Sequence, residues 1–320
     1  MTDKILIIGY GEIAQRHLKN IKLLLPTSNI AVFSKTIKKK SRNIEVFNDL
    51  NKAVNFKPNI TLICSPAPSH IKYAKIFSKI NSHIFIEKPV STDLEQLKKF
   101  IKSLKKKKIT LLSGYNLRFD NSLNFFRNCI NSKNLGEILS VRSEVGQYLP
   151  SWRKKNYTKT VSAKRELGGG VINELSHDVD ILIMLFNKIK LIYGINFNVS
   201  NMKINAEDSA HAIFRSKFKN KLFYIFLNID CYRHDYTRSC VVIGSKATIK
   251  WDGILNRVEI SKKGSKKNKI YKLDNNKNSS YLNEMKYFIK NIKNKNTLMD
   301  SFKENIKLIE ILKKMKKNKK

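Results

Sequence analysis

Cysteine is scarce in this sequence, with four residues in 320. None of them belongs to a C-x-x-C pair and no histidine cluster accompanies them, which argues against a disulfide framework and against a structural zinc site. We therefore expect no bound metal, and the sparse thiols fit the reducing cytoplasm. The four are Cys64, Cys129, Cys231 and Cys240.

Long apolar runs are also missing. No stretch reaches the ~20 apolar residues that a membrane-spanning helix needs. Asp3 stands directly before a strand pattern, which is not expected of a signal peptide. We expect a cytoplasmic protein with no membrane partner, and the hydrophobic content of 42% is enough for the cores of two domains.

Acidic residues are few, 25 against 63 basic ones, so the formal net charge is +38. Such a charge is compatible with a nucleic-acid-associated protein, which would need strong phosphate affinity at physiological salt. However, only 11 of the basic residues are arginine, and the lysine runs are not interleaved with aromatic residues as on a base-reading surface. We favour a solvated basic surface that attracts anionic substrates, with no nucleic-acid partner.

A glycine-rich turn stands near the N-terminus, where the strand pattern Ile5–Ile8 leads into Gly9-x-Gly11-x-x-Ala14. A helical pattern over Glu12–Leu25 follows at once. This order is typical of a dinucleotide fingerprint, because the glycines permit a tight turn and a close approach of the backbone to a pyrophosphate. The alternative is a plain strand-to-helix corner. The candidate cofactor contacts are Gly9, Tyr10, Gly11, Glu12 and Ile13.

The remaining pattern predicts an α/β protein of two domains. Strands and helices alternate in the first third, which indicates a doubly wound parallel Rossmann sheet. Later strands follow one another directly, which indicates an α/β domain with a largely antiparallel sheet. We place the NAD(P)-binding domain at residues 1–117 and the substrate and oligomerisation domain at 118–320. The predicted later elements include the helix Val171–Phe186, the strand Ser239–Trp251 and a helical tail from Ser280 to about Lys316.

The segment Phe85-Ile-Glu87-Lys88-Pro89 ends another predicted strand of the first domain. Ligands of open α/β sheets bind outside the carboxyl ends of the strands. A lysine held there can donate a hydrogen bond to a substrate oxygen and stabilise a developing alkoxide. Alternatively, Glu87 and Lys88 are ordinary surface charges.

Two segments supply candidate substrate contacts. The chain leaves the first domain through Tyr115-Asn116-Leu-Arg118, which combines a phenol, an amide and a guanidinium. In the alternative reading this segment is a hinge whose arginine pairs with a carboxylate. A later loop carries Trp152 and Arg153, which could stack on and pair with a phosphorylated or acidic ligand, and Tyr148 precedes it.

Three glycines, Gly168–Gly170, open the predicted helix that carries Asn173, Glu174, His177 and Asp180. On one continuous helix the spacing of three residues places neighbouring members on a shared face. A carboxylate one turn from a histidine can orient the ring, which then exchanges a proton with a hydroxyl. The alternative is a structural histidine with satisfied hydrogen bonds.

Together, these motifs resemble the glucose–fructose oxidoreductase and inositol dehydrogenase (Gfo/Idh/MocA) family. The family order is kept by Gly9–Ala14, Cys64-Ser-Pro66 with His70, Glu87–Pro89, Gly114–Phe119 and Gly168–Asp180. The resemblance implies an NAD(P)-dependent oxidoreductase acting on a carbinol carbon of a sugar, cyclitol or nucleotide-sugar, with surface-polysaccharide synthesis as one setting. A non-catalytic NAD(P)-binding regulator of the same fold is the alternative.

The resemblance also implies roles for single residues. Lys88 and His177 would be catalytic with Glu174 beside them, and Ser65, His70, Glu87 and Lys88 would lie at the cofactor. Many members carry aspartate four residues before the histidine, whereas this chain has Glu174 three before it, and Asn173 is then a candidate substrate contact. Relatives often form oligomers through the second sheet, and we expect a homo-oligomer.

The end of the second strand bears on the cofactor. NAD sites usually place an acidic side chain there to bind the ribose 2′-hydroxyl. This strand ends instead in Ser34-Lys35, which could hold a 2′-phosphate. We therefore expect NADP(H) in preference to NAD(H), unless Lys35 is simply one more of the many surface lysines.

Overall fold

The computed structural model describes residues 3–35, 44–152, 156–273 and 276–317. The chain divides into two compact units. The first consists of Met1–Tyr115 and Tyr281–Ile309, and the second consists of Asn116–Ser280 and Glu310–Lys320.

A six-stranded sheet forms the centre of the first unit, and all its neighbouring strands are parallel. The strands are β1 (Lys4–Ile8), β2 (Asn29–Phe33), β3 (Glu45–Phe47), β4 (Ile60–Ile63), β5 (His83–Glu87) and β6 (Leu111–Gly114). They lie in the order β3-β2-β1-β4-β5-β6. Successive strands are therefore added on one side of β1 up to β3 and on its other side from β4 onward, while all strands stay parallel. The intervening helices are α1 (Glu12–Leu24), α2 (Leu50–Asn55), α3 (His70–Lys79) and α4 (Leu94–Ser103).

An eight-stranded sheet forms the centre of the second unit. Its strands are β7 (Ile138–Gly146), β8 (Lys190–Phe197), β9 (Ser209–Phe218), β10 (Lys221–Asp230), β11 (Thr237–Gly244), β12 (Ala247–Asp252), β13 (Arg257–Lys262) and β14 (Lys269–Lys272). Only β7 and β10 pair in parallel among its described neighbours. The remaining helices are α5 (Asn121–Asn131), α6 (Val171–Glu174), α7 (Ser176–Phe186), α8 (Ser279–Lys293) and α9 (Met299–Lys317).

The predicted fold class is confirmed: a parallel Rossmann sheet and a largely antiparallel second sheet. Three short elements were not predicted, namely β3, α2 and β14, because they lack an apolar period long enough to detect. The predicted strand Ser239–Trp251 is two strands, β11 and β12. The chain turns at Ser245, whose backbone N–H donates to the Glu137 carbonyl at 2.9 Å.

Helix α1 shows why the first unit includes C-terminal residues. Its buried stripe contains Ala14, Leu18 and Ile21, at the spacing of an inward helical face. The same core cluster contains Met285 and Phe288 of α8. The helical tail that we assigned wholly to the second domain therefore contributes Tyr281–Ile309 to the first unit, because its apolar side chains complete that core.

Helix α9 is the longest described, and it carries many lysines. Within residues 3–35, 44–152, 156–273 and 276–317, none of the helices has the length and apolar character that spanning a membrane requires.

Candidate functional site

Gly9 sets the turn that follows β1. Its φ of +92° lies in the left-handed region, which favours glycine. A Cβ at this position would come within 2.8 Å of the Cys64 carbonyl oxygen. The Gly9 N–H donates to the Phe33 carbonyl at 2.9 Å. The turn is thus fitted between the ends of β2 and β4, and glycine is required for structural reasons.

Gly11 differs from Gly9 because nothing lies within 4 Å of where its Cβ would be. It caps α1 without any side-chain hydrogen bond, and its backbone is extended at φ −69°. Its surroundings therefore leave room for a phosphate beside the first-turn N–H groups, which carry the positive end of the helix dipole. Glu12 is exposed in that turn, while Tyr10 and Ile13 pack partly buried on the core.

At the end of β2, Ser34 is buried and Lys35 is exposed. The Ser34 N–H donates to the Phe47 carbonyl of β3 at 3.0 Å, which fixes the backbone at this end of the strand. The described residues at the strand end thus offer a hydroxyl and an ammonium group, with no carboxylate in the position that usually binds a ribose 2′-hydroxyl.

Beyond β4, three side chains hold the loop that leads to α3. The hydroxyls of Ser65 and Ser69 lie 2.7 Å apart. The buried ring of His70 places Nε2 2.6 Å from the Ser65 carbonyl oxygen and Nδ1 3.0 Å from the Pro89 carbonyl oxygen. Both ring nitrogens of His70 therefore lie within hydrogen-bonding distance of main-chain carbonyl oxygens.

Glu87 and Lys88 stand at the end of β5. The Glu87 Oε1 atom lies 2.7 Å from His17 Nε2, and Glu87 Oε2 accepts the Lys88 N–H at 3.1 Å. Glu87 and His17 are both buried, while Lys88 is partly buried. The peptide bond from Lys88 to Pro89 is cis. Glu87 thus fixes the backbone from which the Lys88 side chain projects.

Sequence reasoning missed His17. It belongs to the buried stripe of α1 with Ala14 and Leu18, and its ring packs at 4.9 Å from that of Phe85. Its Nδ1 atom has no hydrogen-bond partner within the described parts of the chain. A polar residue inside an apolar helical stripe was the available signal.

In the second unit, the three glycines form a crowded turn before α6. A Cβ on Gly169 would lie 2.2 Å from the Val161 carbonyl oxygen. Gly170 has φ +94°, and a Cβ there would lie 2.4 Å from a Glu207 carboxylate oxygen. Asn173 Nδ2 donates to the Gly168 carbonyl at 2.8 Å. Asn173, a candidate substrate contact, thus uses its amide to brace the turn.

The predicted single helix Val171–Phe186 is two helices, because the chain leaves helical geometry at Leu175, with φ −102° and ψ 23°. Glu174 ends α6 and His177 lies in α7. Their spacing of three residues therefore does not by itself place them on one helical face. His177 is buried and Glu174 is partly buried.

The polar residues on α7 after His177 are held by arginines. Arg118 donates to Asp180 through Nε at 2.8 Å and Nη2 at 2.7 Å. Arg238 Nη2 donates to Asp178 at 3.1 Å. Arg118, a candidate substrate contact, thus forms a bidentate ion pair, as in the hinge alternative. Such a pair orients the helix, and breaking one with a buried partner typically costs about 3 kcal/mol or more.

The other candidate substrate contacts differ in burial and in the groups that they contact. Tyr115 is buried in the first unit, and Asn116 Nδ2 donates to the Ser280 hydroxyl at 2.8 Å within the second. The Tyr148 ring lies 4.5 Å from that of His234. Trp152 is partly buried. Arg153 lies outside the described residues.

The thiols do not offer a nucleophile. Burial raises the pKa of Cys64, Cys129, Cys231 and Cys240, in the last case to about 12. All four are thus protonated near neutral pH. The described ranges contain no group of three or more His, Cys, Asp or Glu side chains that could hold a metal ion.

Comparison with known proteins agrees with this arrangement. Residues 4–115 match the GFO/IDH/MocA oxidoreductase family with its NAD-binding Rossmann fold, and residues 125–250 match the GFO/IDH/MocA C-terminal domain. The chain belongs to this family. As a GFO/IDH/MocA protein it is an enzyme of the oxidoreductase class, and the family resemblance of its motifs is confirmed.

Relatives of this GFO/IDH/MocA chain act on different compounds. The myo-inositol 2-dehydrogenase of Thermotoga maritima is 23% identical and aligns with 90% of this chain and 87% of its own length. A 3-ketoreductase from Actinomadura kijaniata, solved with NADP and TDP-benzene, superimposes with a TM-score of 0.84 at 12% identity, covering 100% and 98% of the two chains. Levoglucosan dehydrogenase, solved with NADH and levoglucosan, gives 0.81 at 14%, covering 99% and 97%.

Proposed function

We propose that this enzyme uses NADP(H) in preference to NAD(H) to transfer a hydride to or from a carbinol carbon of a sugar, cyclitol or nucleotide-sugar. The observation that carries the proposal is the Lys88 backbone, fixed by Glu87 at the carboxyl end of β5 in an NAD-binding Rossmann unit. Ligands of such sheets bind outside these strand ends. An ammonium group held there suits a reaction in which charge develops on a substrate oxygen.

The first unit fits a dinucleotide. Gly11 leaves open space and an α1 N-terminus without a side-chain cap, which together suit a pyrophosphate. Tyr10, Glu12 and Ile13 follow β1 together with the glycines, and Ser65 follows the neighbouring strand β4, so we include these four among the cofactor contacts. When bound, the nicotinamide supplies or accepts the hydride.

The chain's own residues handle the oxygen and its proton. We assign Lys88 to a hydrogen bond with the reacting oxygen, where its charge stabilises a developing alkoxide. His177 exchanges the hydroxyl proton, which leaves the substrate on oxidation and returns on reduction. Glu174 holds the His177 ring in its working orientation. Tyr115, Asn116, Arg118, Trp152, Arg153 and Asn173 are the proposed substrate contacts, with Arg118 and Asn173 acting through the helix and turn that they brace.

The substrate class follows from charge and from the relatives. A net charge of +38 attracts anionic compounds, and a nucleotide-linked or phosphorylated sugar is anionic. The Actinomadura enzyme was solved with a nucleotide-linked compound, TDP-benzene. We therefore favour nucleotide-sugars within the proposed class, with surface-polysaccharide synthesis in the cytoplasm as the setting.

A nicotinamide absorbance assay with NADP⁺ and NADPH against free sugars, cyclitols, sugar phosphates and nucleotide-sugars tests the proposal. We expect turnover with an anionic member of the panel. Tight NADPH binding without turnover across the panel would instead favour the non-catalytic regulator. Absence of NADPH and NADH binding would contradict the whole assignment.

The cofactor preference gives a prediction at Ser34. Ser34→Asp should lower the ratio of kcat/KM with NADPH to that with NADH at least about tenfold, because a carboxylate repels a 2′-phosphate and accepts a hydrogen bond from a 2′-hydroxyl. Ser34→Ala is the matched control and should change the ratio less. A ratio that stays unchanged in Ser34→Asp would contradict the assignment. Initial rates with both cofactors provide the measurement.

We also propose that the enzyme forms a homo-oligomer through the open face of its second sheet. On β10, Leu222, Tyr224 and Phe226 are each more than 40% exposed, and they alternate with buried residues. Phe226 lies opposite Ile213, which lies opposite Tyr193 on β8, so an uncharged row crosses three strands. A row of this kind suits a second copy of the same chain in a two-fold contact.

Phe226→Glu should convert the oligomer to monomers, because it places a carboxylate in that row. We expect the dissociation constant to rise at least about 100-fold in sedimentation equilibrium. Leu255→Glu, which alters a 58% exposed leucine outside the row, is the control and should leave assembly intact. A wild-type monomer at high concentration would contradict the proposal.

A further inference from the structure

The ring of His70 connects two loops that the sheet brings to the same edge. It is 1% exposed. Its Nε2 lies 2.6 Å from the Ser65 carbonyl oxygen, and its Nδ1 lies 3.0 Å from the Pro89 carbonyl oxygen. Each contact joins the ring to a different segment of the chain.

Those two segments follow neighbouring strands. Ser65 comes shortly after β4, while Lys88 and Pro89 come directly after β5. Strands β4 and β5 are parallel neighbours, with Ile63 opposite Ile86, so their carboxyl ends are adjacent. His70 is the first residue of α3, and its ring contacts both loops. The ring thus connects two loops. One follows β4 and is assigned to the cofactor, and the other follows β5 and carries Lys88.

The ring contacts its two partners through different nitrogens, so substitutions can separate the two contacts. Both partners are carbonyl oxygens, which only accept, so a neutral ring donates its single N–H to one of them, and only a protonated ring donates to both. Burial lowers the pKa of His70, whereas the two carbonyls and the Glu87 carboxylate act in the opposite direction. Asparagine can present an N–H near the position of Nδ1, and glutamine can present one near that of Nε2. One amide therefore preserves the Pro89 contact and the other preserves the Ser65 contact.

We propose that His70 is a positioning residue, which sets the Lys88 turn through the Pro89 carbonyl and sets the cofactor-side loop through the Ser65 carbonyl. This inference rests on the proposed function, because it assigns the two loops to catalysis and to dinucleotide binding. The Lys88 backbone then has two supports: Glu87 on its N–H side and His70 on the Pro89 carbonyl. A displacement of about 1 Å in a reacting group can lower a rate about 100-fold.

The test compares His70→Asn with His70→Gln. Asparagine keeps the Pro89 contact, so kcat should stay within about threefold of wild type while the Kd for NADPH rises about tenfold. Glutamine keeps the Ser65 contact, so the Kd should be nearly unchanged while kcat falls at least about tenfold. Steady-state kinetics on the best panel substrate and NADPH fluorescence titration give the two quantities.

Two comparisons separate positioning from stability. His70→Leu removes both contacts and should show both defects. His83 lies at the opposite end of β5, where its Nδ1 accepts the Thr110 N–H at 2.9 Å. His83→Leu should lower Tm with kcat and Kd unchanged. If kcat and Kd worsen in parallel in His70→Asn and His70→Gln, following Tm, the proposal is overturned. If the wild-type enzyme binds NADPH but turns over no substrate of the panel, the proposed reaction is refuted. The difference in the Kd for NADPH between His70→Asn and His70→Gln would still test the Ser65 contact.

Discussion

Lys88→Met should lower kcat about 10³-fold and leave the Kd for NADPH within about threefold of wild type. Methionine keeps an unbranched stem but removes the ammonium group. The backbone should stay in place, because Glu87 accepts the Lys88 N–H rather than binding the side chain through that contact. The loss should therefore fall on the chemical step. Steady-state kinetics and NADPH fluorescence titration provide the two numbers.

Lys98→Met is the control for this experiment. Lys98 is a lysine on α4 whose side chain is 42% exposed and lies 3.4 Å from the Glu95 carboxylate, in a surface pair of little energetic weight. Its replacement should leave kcat unchanged. If Lys88→Met turns over substrate within threefold of wild type, the ammonium group has no role in the reaction and the proposed chemistry is wrong.

Alanine substitutions at Gly9 and Gly11 should affect different properties, the first the stability of the fold and the second the binding of NADPH. Gly9→Ala should destabilise the fold by about 2–4 kcal/mol, because φ is +92° and the new Cβ would meet the Cys64 carbonyl oxygen at 2.8 Å. Gly11→Ala should change the free energy of unfolding by less than about 1 kcal/mol, since its backbone suits any residue and its surroundings are open. The same methyl group should nevertheless weaken NADPH binding at least about tenfold, because it occupies the approach of the pyrophosphate.

Urea unfolding and NADPH titration on both variants distinguish the two effects. The pair is matched, because the substitution is identical and the sites are two residues apart. Wild-type NADPH affinity in Gly11→Ala would contradict the placement of the pyrophosphate at the α1 N-terminus. Unchanged stability in Gly9→Ala would show that the turn relaxes more easily than its contacts indicate.

The sequence was sufficient for the fold class, because both domains have clear periodicities. The buried strand that precedes Gly9 and the helix that follows it are read from neighbouring residues alone. The break at Leu175 could not be read in this way, since Val171–Phe186 is apolar enough for one continuous helix. Propensity is a weak guide where tertiary packing decides, as at this break between α6 and α7.

Parts of the site depended on contacts between distant residues. Lys88 and the glycines were identifiable by their place after strands. The pairing of Arg118 with Asp180 joins positions 62 residues apart, and His17 meets Glu87 across 70. A single sequence contains no signal for such pairs. From the sequence alone, Arg118 is therefore predicted as a substrate contact, with a carboxylate pair as the alternative, and nothing links His17 to Glu87.

The contribution of Tyr281–Ile309 to the first unit has a consequence for folding during synthesis. Phe85 of β5 lies against Phe288 of α8, with ring centroids 5.9 Å apart, so the core that contains β5 is completed only after residues 116–280 have been synthesised. Residues 116–280 emerge from the ribosome before that partner does. Domains of a growing chain usually form in order from the N-terminus. Here the second unit can form its sheet first, while the apolar strands of the Rossmann unit stay exposed until α8 has been synthesised.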